Sequence, residues 1–147
     1  MARTIVFTDT YPYAPLTALS PTRRPVVPVR VYNVRDSSRS LDLTMLLDSG
    51  ADATCLPSEL ARRLGIDLAS LAVRTMRGVS GSAATYRHEG VPMTLASTVI
   101  RCPVHFVPGL SVFLLGREGV FDELVFGFEQ SAGNIHVRVS PRRRRTR

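Results

Sequence analysis

The chain of 147 residues contains no lysine and no tryptophan, only two cysteines and only three histidines. Each shortage removes a class of function. Cys55 and Cys102 stand alone, without the C-x-x-C spacing of a redox or zinc motif, and two thiols are too few for a disulfide scaffold. They are expected to be reduced, small apolar residues. His88, His105 and His136 have no paired-ligand spacing, so a metal site is not expected. There is no Gly-rich phosphate loop and no G-x-S-x-G elbow. No apolar run approaches the roughly 18 to 20 residues of a spanning helix. The opening MARTIVFTDTYPYAP has too short an apolar stretch for a secretory signal, so a cytoplasmic location is expected.

What is present suits one globular domain: 44% hydrophobic and 21% charged residues, enough to bury a single core. Nineteen arginines against twelve acidic residues give a net charge of +7. Arg142, Arg143, Arg144, Arg145 and Arg147 crowd the extreme C-terminus, so the rest is only mildly basic. The nucleic-acid partner that a basic chain suggests therefore belongs to a tail, whose simpler explanation is a flexible, solubilising segment.

Three regions follow from composition. Residues 1–24 are rich in Thr, Pro and Tyr and predict an extended arm, because proline forbids a long helix or a central strand. Residues 25–139 form the domain and 140–147 the Arg-rich tail. From Val26 to Val34 the pattern has period two, with Val27, Val29, Val31 and Asn33 on one side. Turn residues at 36–40 and the apolar run Leu41 to Leu47 complete a hairpin. Pro57 to Gly65 predicts a helix of about two turns, capped by Ser58 and closed by Gly65. Val73 to Pro108 predicts three or four short strands, the first reversal at Gly78-Val79-Ser80-Gly81. Phe113 to Leu115 reads as an apolar strand, Glu118 to Leu124 as a helix of about two turns, and Val125 to Glu129 with Ile135 to Val139 as a final hairpin. The balance is mainly β.

The segment most informative for chemistry is LLDSGADATCLP. A buried strand ending in Asp48-Ser49-Gly50 delivers a carboxylate at a core strand's end, and glycine lets the backbone turn sharply beneath it. Taken alone, such a tripeptide is ordinarily a solvated bend. The second feature is FLLGREGVFDEL, another apolar strand ending in glycine ahead of a short helix. With MRGVSGS between them, these blocks resemble the retropepsin family, the single-domain aspartic proteases of retroviral type, and in particular its bacterial-type members. The likeness covers about Arg24 to Val139.

The resemblance implies a retropepsin-like acid protease fold: a closed β-barrel-like half, with short helices after the active-site loop and after the Leu-Leu-Gly-Arg strand. It implies that Asp48 is catalytic, within Asp48-Ser49-Gly50, and that the Ser49 hydroxyl bonds a partner loop. Ala51, Asp52, Gly116 and Arg117 would support the site, Asp52 and Arg117 as an ion pair. Gly78, Val79, Ser80 and Gly81 would form a flap over substrate, in subsites that are hydrophobic in the family. One chain holds one such Asp, so the enzyme is expected to be a C2 homodimer whose two Asp48 carboxylates activate a water and hydrolyse peptide bonds without metal or cofactor. Pairing of terminal strands across the axis, with Ile135 to Val139 as candidate, would hold it together. The competing reading is a catalytically silent module of the same fold that dimerises or binds, its tail serving an anionic partner.

Overall fold

The computed structural model describes residues 4–78 and 80–141; Val79 of the flap and Arg142 to Arg147 of the tail lie outside the described residues. The chain is mainly β. In order, the strands are β1 (Asp9–Pro12), β2 (Ala14–Pro15), β3 (Arg23–Arg24), β4 (Val26–Tyr32), β5 (Ser40–Leu47) and β6 (Thr54–Pro57). They continue with β7 (Ala72–Gly78), β8 (Gly81–Leu95), β9 (Thr98–Val107), β10 (Leu114–Leu115), β11 (Leu124–Glu129) and β12 (Asn134–Val139).

Period-two patterning decides which faces are buried. In β4, Val27, Val29 and Val31 point into the core while Pro28 and Arg30 stay exposed. They meet Met45 and Leu47 of β5, Met93 and Leu95 of β8, and Val104 and Phe106 of β9 in one apolar cluster. The main sheet runs β4-β5-β10-β6-β9-β8-β7, and β4 pairs again with β8 through Arg30↔Thr94 and Val31↔Met93. The strand path thus returns on itself around that core.

A second sheet, ordered β1-β12-β11, is built from both ends of the chain. The N-terminal arm is extended and fixed: Asp9 to Pro12 pairs antiparallel with Asn134 to Val137, and Tyr13 is buried in the core cluster. Phe7 lies against Gly127, where a Cβ would come within 2.8 Å of the ring. Strand β12 is the middle strand of this sheet, with both of its edges paired inside the chain. Asn134 to Val137 therefore has no free edge for a second copy, whereas Arg138 and Val139 pair on the β11 side only. Among the described residues the outer edges are those of β1 and β11.

The helical expectations need correction. Pro57 to Gly65 forms two successive 3₁₀ turns, Ser58–Leu60 and Arg62–Leu64, and the residue ahead of the first is Pro57, so Ser58 does not cap it. Gly65 does close the segment in the left-handed conformation, at φ 74°. No helix follows Gly116-Arg117: Glu118 to Glu123 are turns, because Gly119 sits at φ 72° and breaks the helical path after one residue. Between β8 and β9 the reversal is made without glycine, by Ala96 and Ser97 at φ 48° and 60°. A further 3₁₀ turn, Leu68–Ser70, is capped by Asp67.

Asn33 shows how the surrounding loops are held. Its Oδ1 accepts from the Arg35 and Asp36 amides, and its Nδ2 donates to the Arg63 carbonyl at 3.0 Å. It is 6% exposed, so water cannot replace all three bonds. Asn33→Ala is expected to lower the unfolding free energy by about 2 to 3 kcal/mol, read as a reduced urea midpoint at unchanged slope.

Candidate active site

The site begins where β5 stops. Asp48 is half-buried at the end of that strand, and its amide donates to the Leu115 carbonyl at 3.1 Å, continuing the parallel pairing of β5 with β10. The carboxylate turns back over its own loop: Oδ1 accepts from the Gly50 amide at 2.9 Å. Ser49 and Gly50 are exposed, so the loop faces outward from a buried base.

Strand β10 is wedged between β5 and β6, pairing parallel with the first and antiparallel with the second at Leu114↔Cys55. Both loops that leave this wedge are tied together. The Arg117 amide donates to the Ala51 carbonyl at 3.0 Å and the Glu118 amide to the Asp52 carbonyl at 2.9 Å. The side chains of Asp52 and Arg117, 65 positions apart in sequence, form an ion pair. Gly116 is buried so tightly on the Ala53 peptide that a Cβ would overlap its backbone. Its amide donates to Thr54 Oγ1 at 3.2 Å, and Thr54 is fully buried. Glycine at 116 and a hydroxyl at 54 are therefore complementary requirements of one contact.

A cavity of about 970 Å³ opens between the Asp48 loop and the hairpin of β7 and β8. Gly78 and Gly81 pair at the hairpin tip, and they and Ser80 are exposed. The cavity's apolar side is Cys55, Met76 and Leu114. Cys55 is buried with its Sγ 3.7 Å from Met76 Sδ, and burial, assisted by the Asp48 charge, pushes its thiol up to about 11. Cys102, buried in the core, is likewise raised to about 11, chiefly by burial. Both thiols are free, and neither ionises at neutral pH.

The opposite wall is polar, and sequence reasoning missed it. Arg87 on β8 donates to Glu89 through Nε and Nη2, and to Glu118 through Nη1 and Nη2, at 3.0–3.2 Å. Its Nη1 also meets Nε2 of His105, 3.2 Å away. A guanidinium cannot accept, so Nε2 is the unprotonated ring nitrogen and Nδ1–H donates to Thr85 Oγ1 at 2.8 Å. The Thr85 hydroxyl in turn donates to the Arg74 carbonyl of β7. Arg87 holds both glutamates below the usual carboxylate range. The partners of Arg87 lie up to 31 residues away, a separation without any local signal.

These features define a class: a single β lobe carrying one loop aspartate, braced by a second loop and covered by a glycine-tipped hairpin. The chain belongs to the retropepsin-like aspartyl protease family, since the family model described as Aspartyl protease matches residues 27–128, from β4 to β11. No curated protein matches it. The matched span includes Asp48, Gly116, Arg117 and the flap, and leaves out β1 and β12.

Two measurements test this site as a structure. Thr54→Val keeps the shape but removes the acceptor of the Gly116 amide, and is expected to cost about 1 to 3 kcal/mol by thermal or urea unfolding. His105 supplies a pH dependence. Burial first, then the charge of Arg87, lowers its pKa, with Glu118 and Glu89 opposing and Arg74 adding to the fall. The neutral ring therefore stabilises the fold above the unfolded value of about 6.5, and that contribution is lost as pH drops below it. Stability is expected to fall between pH 7.5 and 5.5, and His105→Gln should reduce the difference. His88, whose pKa burial also lowers, contributes in the same sense.

Proposed function

We propose that this chain is an aspartic endopeptidase, active as a C2 homodimer in which Asp48 of each copy completes one dyad. The observation that carries it is the placement of Asp48. It is a half-buried carboxylate on a loop locked from behind, open in front, at the floor of a cleft that a flap covers. One ionised carboxylate cannot take a proton from water and at the same moment donate one to the scissile carbonyl. Two within about 3 Å of each other cannot both ionise, so they hold one proton between them. The ionised member takes a proton from a water while the protonated member donates to the scissile carbonyl. A tetrahedral intermediate forms, and its collapse passes a proton to the amide nitrogen. Substrate lies extended under the flap and adds main-chain hydrogen bonds to the β7–β8 hairpin.

With Asn134 to Val137 of β12 enclosed, the second copy meets the outer edge of β11. That edge carries Phe128, 44% exposed, and β11 falls inside the matched family span. An unpaired strand edge with an exposed aromatic is a natural template for another strand. Self-pairing of β11 across a twofold axis satisfies its free amides and carbonyls.

Asp48→Asn is expected to leave the fold and unfolding midpoint nearly unchanged while cleavage of a mixed peptide library falls by more than about a thousandfold. Full activity in that variant refutes the mechanism. Phe128→Asp on the β11 edge is expected to shift the sedimentation profile toward monomer and reduce activity per chain at low concentration, recovering as protein is added. A stable, active dimer carrying that substitution overturns the choice of edge.

A further inference from the structure

The polar wall of the cleft has a direction. All five N–H groups of Arg87 are engaged: one from Nε to Glu89, two from Nη1 to His105 and Glu118, and two from Nη2 to Glu89 and Glu118. The only N–H of the His105 ring goes to Thr85, and the Thr85 hydroxyl goes to the Arg74 carbonyl. Every donor in this network is spent inside it. What it has left to offer is acceptors, because each oxygen of Glu118 takes one hydrogen bond from Arg87 and keeps a second lone pair. Glu118 is half-exposed, its side chain 48% accessible, and lines the cleft beside Asp52. It also borders a second recess of about 470 Å³, shared with Asp52, Arg117, Phe121 and Asp122. Charged residues lining the cleft are Asp48, Asp52 and Glu118 against Arg77 and Arg87, with His105 neutral.

We infer that the Arg87–Glu118 wall is a specificity subsite for a basic substrate side chain, arginine or lysine, with Glu118 as the residue that receives it. The inference rests on the proposed endopeptidase reading and adds the substrate class. A carboxylate entering this wall finds no free N–H and faces like charge, whereas a guanidinium or ammonium finds unoccupied lone pairs. Arg87 takes no part in direct recognition. It fixes the rotamer of Glu118 and offsets part of its charge.

The test compares cleavage of peptides that differ only in bearing Arg, Lys, Leu or Glu at one subsite at a time, at fixed salt, with the full chain. Wild type is expected to prefer Arg or Lys over Leu by about tenfold in kcat/KM at one subsite and to disfavour Glu there. In Glu118→Gln that ratio should collapse toward one. In Arg87→Gln, which leaves Glu118 uncompensated, it should rise. A wall with only a structural role moves both variants the same way, so opposite shifts of the ratio separate recognition from support. Equal or greater preference for Leu or Glu at every subsite, or an unchanged ratio in Glu118→Gln, overturns the subsite. The same peptides are measured for binding to Asp48→Asn by fluorescence anisotropy. Binding that prefers basic peptides and depends on Glu118, with no cleavage by wild type, keeps the subsite and rejects the peptidase. Cleavage without basic preference does the reverse, and absence of both cleavage and selective binding rejects the two together.

Discussion

The contact of Gly116 with the Ala53 peptide is the constraint on which the rest of the site depends. With no Cβ at 116, the two loops that leave the β5–β10–β6 wedge approach closely enough to exchange backbone hydrogen bonds, and the buried Thr54 hydroxyl can take the Gly116 amide. The Asp52–Arg117 pair is exposed on both sides, so on its own it stabilises little. Its role is to hold the outer rim of a junction whose interior is already fixed by main-chain bonds. A side chain at 116 would separate the loops, and the amide of Asp48 would lose its register on Leu115. The carboxylate is therefore positioned by groups packed behind it, and the exposed Ser49 and Gly50 leave its front free.

Period two was the most readable signal. It located β4 and β5 and the hairpin of β11 and β12 to within a residue or two, because one face of each packs on the core and register follows from burial. The Asp48 loop and the glycine-tipped reversal were legible for a different reason: their residue types are ones the backbone geometry demands. Helices were misread at both sites. Ser58 to Leu64 has caps and charges suited to an α-helix, but the run is short and splits into two 3₁₀ turns around the buried Ala61. At Glu118 to Leu124 a helix of about two turns was expected after the Gly116-Arg117 turn, and Gly119 in the left-handed region prevents one.

Long-range pairing was illegible. Nothing local to Asp9 or Asn134 announces that the two ends of the chain share a sheet, and only that sheet shows that Asn134 to Val137 is enclosed. The ion-pair network at Arg87 escaped for the same reason. Its members come from β8, from β9 and from the turn after β10, each unremarkable in its own segment. Asp52 and Arg117 are equally distant in sequence, and the family resemblance alone brought them together beforehand.

The network around His105 also links the cleft wall to the flap. Through Thr85 the ring reaches the Arg74 carbonyl on β7, the strand that runs out to Gly78, and because Nδ1–H is present in both protonation states this link survives protonation at Nε2. A protonated ring has no acceptor for Arg87 and sets a second cation beside it. This wall keeps its arrangement on the neutral side of the imidazole's titration. Protonation of His105 therefore acts on Arg87 and, through it, on the placement of Glu118.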